Sequence, residues 1–183
     1  MECNNSRFKI EITSEDALVS TGNELVYFFD KEFQPSSIVK IVVSDGNDTP
    51  RCAMVAASGG GTAVHATSFV ASETELAICC SDTVFCLSIP DLKLIWHTKA
   101  DEATCFEIFK IENGFIVHGE LSISRLDENG NIVWQNFGAD IFTTIEGIED
   151  FSITDGYILA TDFGHRKYKF NFAGVDISDT IEH

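Results

Sequence analysis

The sequence predicts an all-β fold made of propeller-like repeats of about forty residues, with a β-sandwich as the alternative. Three observations carry this reading. Short runs rich in β-branched and aromatic residues recur along the chain, bounded by Gly, Asp, Asn or Pro. No segment holds a 3.6-residue apolar stripe beyond one or two turns, and the best of them, 140–150, is weak. Apolar strand centres return at similar intervals along the chain.

Taken in order, FKIEIT (8–13) alternates apolar and polar residues, as a half-buried strand does. ELVYFF (24–29) and SIVKIVVS (37–44) are further β-rich runs. TVFCLSI (83–89), KLIWHT (93–98) and CFEIFKI (105–111) follow, then FIVHGE (115–120), LSISRL (121–126) and NIVWQ (131–135). GYILAT (156–161) and YKFNF (168–172) complete the set. Asp127-Glu128-Asn129-Gly130-Asn131 is a hairpin connector, because Asn and Gly accept positive φ. Glu112-Asn113-Gly114 and Asn171 to Gly174 are connectors of the same kind, and Pro90-Asp91 punctuates a fourth.

Val19, Ile78, Val117 and Leu159 stand at one level of the repeat, and nine residues later come Phe28, Leu87, Leu126 and Tyr168. Trp96 and Trp134 follow in the two central copies, where the fourth copy offers Asp176 or Ile177. The intervals are 59, 39 and 42 residues, so the longer first one places an insertion near 44–66 in a single domain spanning 1–183. In the third copy the unit reads LSISRLDENGNIVW (121–134): a strand, an acidic-glycine turn and a Trp-bearing strand. This resembles the blades of quinoprotein-like (PQQ-type) β-propellers, mainly over residues 74–135. The resemblance implies a small or incomplete propeller. It carries over no quinone-binding pattern, so no cofactor is expected. The turn before Trp96 has no glycine, and two of the four copies lack the Trp.

The net charge of −17 is spread over both halves: 13 acids and 6 bases in 1–98, 16 acids and 6 bases in 99–183. Nucleic acid and anionic membrane are poor partners for such a chain, since phosphate recognition needs clustered Lys and Arg. A basic protein suits this field. Cys3, Cys52, Cys79, Cys80, Cys86 and Cys105 form no CxxC pair. With a polar N-terminal segment and no long apolar run, they point to a reduced, cytoplasmic setting in which cysteines act as small core residues.

Few residues suggest chemistry. In a strand, His118 and Glu120 share one face with Ile116, an arrangement suited to acid/base work or to metal ligation. Two ligands do not make a zinc site, so no metal site is expected, and a satisfied polar network is the preferred reading. Lys99, Asp101, Glu102, Arg125 and Asp140 lie after or between strands of the best-formed copies. If the repeats are real, the loops at 99–104 and 136–144 hold equivalent places and would form one surface; solvated loops with chance ion pairs are the preferred reading. Ser58-Gly59-Gly60-Gly61-Thr62 reads as a flexible connector, and Asp127 to Asn131 as a hairpin rather than a calcium loop. No catalytic residue is expected: there is no GxSxG, and Cys105 lies in too acidic a chain for a lowered thiol pKa.

The expected function is that of a non-enzymatic acidic binding protein, in its most concrete form a cytoplasmic inhibitor or immunity protein for a basic toxin. The alternatives are a small-molecule binder or enzyme using His118 and Glu120, and a structural repeat protein that assembles with itself as a homodimer.

Overall fold

The computed structural model describes residues 1–4, 7–18, 22, 24–29, 34–45, 49–144 and 151–178. These residues form strands in four sheets, with no helix among them. The first sheet contains β1 (Glu2–Asn4), β2 (Lys9–Ser14), β3 (Leu25–Phe28), β4 (Ser37–Ser44) and β5 (Arg51–Ala57), in the order β1-β2-β4-β5-β3. The second is a simple meander of β6 (Phe69–Ala71), β7 (Glu75–Cys80), β8 (Thr83–Ser88) and β9 (Leu94–Lys99). The third repeats it with β10 (Cys105–Ile111), β11 (Gly114–Gly119), β12 (Ser122–Leu126) and β13 (Ile132–Phe137). The fourth has β14 (Phe151–Ile153), β15 (Ile158–Thr161) and β16 (Lys167–Phe170), extended by a bridge from Phe170 to Asp176.

The side chains explain why the central strands lack polar alternation: they are covered on both faces. On β7, Leu76, Ile78 and Cys80 pack with Ile10, Ile12, Ile41 and Val55 of the first sheet. Ala77 and Cys79 of the same strand pack the other way, against Cys105, Ile108, Val117 and Leu126. On β11, Phe115 and Val117 join that second core, while Ile116 joins Phe142, Ile158, Ala160 and Phe170 in a third. Each core therefore lies between two neighbouring sheets, and the sheets stack in chain order, as propeller blades do.

A repeated contact fastens one sheet to the next. Trp96 on β9 lies over Gly130 in the next sheet's turn, and its indole N–H donates to Glu128 O at 3.1 Å. Trp134 on β13 does the same to Gly174 and donates to Phe172 O at 3.1 Å. The two turns match bond for bond. Asp127 Oδ1 accepts from Asn129 and Asn131 N–H, and Asn171 Oδ1 accepts from Ala173 and Val175 N–H. Gly130 and Gly174 have φ of 79° and 83°, where a side chain would be strained and would strike the indole.

The missing glycine before Trp96 is explained by Leu92, which holds the same place with φ 55°. Leu92 N–H closes its turn onto Ser88 O, as Gly130 closes onto Asp127 O. The turn is one residue longer and contains the cis Ile89–Pro90 bond. Here Tyr27 of β3 takes the place of the tryptophan: its hydroxyl donates to Leu92 O and accepts from Leu94 N–H, both at 3.1 Å.

Two expectations need correction. The first copy is not a sequential repeat, because β3 reaches the outer edge by pairing parallel to β5. Phe28 belongs to that outer strand, and Val19 lies outside the described residues. The segment 44–66 supplies β5. The fourth copy shifts in register: Ala160 and Phe170 pair as Val117 and Leu126 do in their sheet, in place of Leu159 and Tyr168. The weak helical stripe is absent from 140–144, and 145–150 lie outside the described residues.

Candidate functional site

In a meander, the turns after the first and third strands lie at one end of a sheet, and the other turns at the opposite end. Repeated over three sheets, this makes two rims. One carries 100–104, 119–122, 138–144 and 162–166, which includes most of the expected site. The other carries the hairpin turns at 72–74, 88–93, 112–113, 127–131, 154–156 and 171–175.

On the first rim Asp82, Asp101 and Asp162 turn inward, while Glu102 and Asp140 are exposed. Asp101 is 1% exposed, and Oδ1 accepts from Ala103 and Thr104 N–H at 2.7 and 3.1 Å. Its Oδ2 accepts from Leu121 N–H at 3.0 Å and from Ser122 N–H and Oγ–H, both at 2.8 Å. Gly119 is required beside it, since a Cβ there would lie 2.2 Å from Oδ2. Asp101 therefore ties the loop after β9 to the turn between β11 and β12. Asp162, also buried, accepts from Arg166 N–H, Arg166 Nε and Tyr168 Oη at 2.8–2.9 Å. Burial pushes its carboxyl up, but those hydrogen bonds and the guanidinium charge outweigh burial and hold it below the usual range. Asp82 is buried, accepting from Thr83 Oγ, with Lys99 Nζ 3.7 Å away.

The remaining expected residues here are spoken for as well. Lys99 and Glu102 pair with each other at 2.8 Å, Glu120 accepts from Thr104 Oγ at 2.7 Å, and Asp140 caps Ile141 N–H at 2.9 Å. Arg125 stands apart from this group, at the other end of β12.

His118 does face its strand's polar network, but its partner is Glu107, not Glu120. A bulge between Cys105 and Glu107 sets Glu107 directly across from His118. Nδ1 lies 2.9 Å from Glu107 Oε2, and Nε2 donates to Phe142 O at 2.8 Å. Phe151 stacks on the imidazole at 4.6 Å and Phe106 meets its edge. Thr67 Oγ donates to the other Glu107 oxygen at 2.5 Å. Burial pushes Glu107 up, yet the bonds from His118 and Thr67 outweigh burial and hold it low. Both ring nitrogens are hydrogen-bonded and Phe151 covers one ring face, so the imidazole is built into a packed network.

The cysteines behave as core residues. All six are free, and burial pushes the Cys80 and Cys86 thiols to about 12 and Cys105 well above its ordinary value, the reverse of a nucleophile. Among the described residues, no group of three or more His, Cys, Asp and Glu is placed to hold a metal. No helix among them is long and apolar enough to cross a membrane. The glycine run is packed rather than free: Gly60 N–H donates to Ala103 O at 2.7 Å, and Cβ atoms at Gly59 and Gly60 would collide with Asp82 and Thr104.

The hairpin rim is different. Glu73, Asp91, Glu112, Glu128 and Asp155 are all exposed there, one on each of five successive turns. Asp91 lies 3.6 Å from Arg51 and Glu128 lies 3.8 Å from Lys110, both long surface ion pairs. Sequence reasoning placed Asp91, Glu112 and Glu128 in turns but neither Glu73 nor Asp155, and none on one edge, because only the meander brings alternate turns together. Arg125 also reaches this rim, in the wall of a cavity between the third and fourth sheets.

No family model and no curated protein matches the sequence. Among solved structures, BamB from Moraxella catarrhalis, a quinoprotein-like propeller, aligns over 97% of this chain and 59% of its own, at TM-score 0.51 and 14% identity. The computationally designed Ika4 protein aligns over 69% of this chain and 81% of its own, at TM-score 0.52 and 9% identity. The designed Ika8 protein aligns over 79% and 46%, at TM-score 0.50 and 9% identity. The chain spans less than two thirds of BamB and of Ika8. At these identities the likeness is one of fold alone, and that fold is all-β and propeller-like.

Proposed function

We propose that the protein is a non-enzymatic binding module whose hairpin rim meets a basic protein partner. The observation that carries this is the asymmetry of the rims. Asp82, Asp101 and Asp162 on one edge are buried against backbone N–H groups and neighbouring side chains, whereas Glu73, Asp91, Glu112, Glu128 and Asp155 on the other are exposed. With a net charge of −17, such an edge steers a cationic partner by long-range attraction. A cytoplasmic inhibitor or immunity protein for a basic toxin, such as a nuclease, is the concrete form of this reading. The tryptophan-on-turn contacts support reading the repeats as quinoprotein-like blades without their cofactor.

The test is affinity capture with the whole chain at low and high salt. The captured proteins should be basic, and their association rate should fall steeply as salt rises. A partner set with no basic bias, or binding indifferent to salt, overturns the proposal. Assembly with itself is the competing reading, distinguished by light scattering: a clean monomer removes it.

A further inference from the structure

Two cavities occupy equivalent places in successive sheet interfaces. One, about 220 Å³, lies between the second and third sheets and is lined by Ala77, Cys86 and Phe115 among others. The other, about 310 Å³, lies between the third and fourth and is lined by Ile111, Glu112, Asn113, Arg125, Asp155 and Phe172. The repeat makes Cys86 and Arg125 counterparts, since Cys86 pairs across the sheet with Trp96 and Arg125 with Trp134. One interface thus has a neutral thiol where the other has a guanidinium, and the first cavity takes its cation, Lys110, from another strand.

Arg125 is also incompletely used. Nη1 donates to Phe172 O at 2.8 Å, a carbonyl already taken by the Trp134 indole. Nε is buried without a hydrogen-bond partner, and among the described residues no carboxylate lies within 4.0 Å of the guanidinium. A guanidinium holds five N–H donors in a planar fork matched to a carboxylate. The same cavity has Glu112 and Asp155 in its wall and Ile111 and Phe172 as apolar lining. Its volume is at the lower end of small-ligand pockets.

We infer that this cavity binds a small zwitterion of amino-acid size, with its carboxylate on Arg125 and its ammonium toward Glu112 and Asp155. The remaining edge of the guanidinium and the two acids present opposite charges in one cavity, and the apolar lining takes the side chain. Glu112 and Asp155 belong to both this cavity and the hairpin rim, so the small ligand is tested with the chain alone, without a protein partner.

Isothermal titration and thermal-shift measurements with the full chain test it, using each of the twenty amino acids, and acetate and methylammonium as half-ligands. The expected result is saturable binding of one or a few amino acids. Neither half-ligand should bind comparably, and Arg125→Met should weaken binding about tenfold or more, as loss of a bidentate charged contact does. Arg125→Lys, which retains charge but not the fork, should fall between; it also serves if the Met variant fails to fold. Absence of binding by every amino acid overturns the inference. So does binding of acetate alone with equal strength, or amino-acid binding unchanged by Arg125→Met.

Discussion

Replacing Asp101 with Asn tests whether this residue is a structural tie or a surface ligand. The amide is nearly isosteric, so packing against Gly119 persists. One of the two oxygens becomes an N–H₂ donor. If it takes the Oδ2 position, it faces Leu121 N–H, Ser122 N–H and Ser122 Oγ–H. The serine hydroxyl can rotate to accept; the two backbone N–H groups cannot. Flipping the amide only transfers the conflict to Ala103 and Thr104 N–H. Two buried donors without an acceptor cost about 1–3 kcal/mol each, so the expected loss is about 3–5 kcal/mol. That is a large share of the roughly 5–15 kcal/mol typical of a domain. At roughly 2–4 °C per kcal/mol, the melting temperature falls by roughly 6–20 °C. The assay is urea denaturation followed by circular dichroism at pH 7, with Glu102→Gln as control, since that side chain is 65% exposed. The control should stay within about 0.5 kcal/mol of wild type. An Asp101→Asn midpoint equal to wild type refutes the reasoning and returns Asp101 to the set of surface ligands.

Gly130→Ala should destabilise by about 2–4 kcal/mol, because it combines a φ of 79° with a Cβ 2.4 Å from the Trp96 ring; urea midpoints measure it. Trp134→Phe removes one donor from Phe172 O while Arg125 keeps the other, so the loss should be about 1 kcal/mol plus some packing, read from the same curves. Glu107 is held low in the folded state, so the unfolded chain binds more protons between its folded pKa and the unfolded value of roughly 4.3. Its contribution is present above that unfolded value and is lost as pH falls through the folded one. Glu107→Gln should therefore flatten the acid limb of the stability–pH profile, and an unchanged limb contradicts the His118 network.

Much of this fold was legible because turn chemistry is local. Gly130 and Gly174, each behind an Asp or Asn, announce their hairpins, and the Trp that docks on each follows from the repeat. Leu92 was not legible, since a leucine at positive φ breaks the local rule and is held by Tyr27 from a distant strand. RCAMVAA (51–57) was missed as β5 because a strand buried on both faces and built of small residues shows no period. The strands at 69–71 and 151–153 are too short to carry a pattern. At the candidate site, sequence identified His118 but chose the wrong carboxylate, as a partner across a bulge is set by pairing rather than spacing. Asp101 misled because an acid in a loop reads the same whether it faces water or collects backbone N–H groups.

The central claim is that the two rims differ in role, and one comparison tests it most directly. Glu73→Gln, Asp91→Asn, Glu112→Gln, Glu128→Gln and Asp155→Asn are combined in one variant; Glu102→Gln and Asp140→Asn form the control on the opposite rim. Association of each with the captured basic partner is then followed across a salt series. The account predicts that the hairpin-rim variant loses most of the association rate and most of its salt dependence, while the control matches wild type. Equal rates for the two variants, or a larger loss in the control, would contradict it.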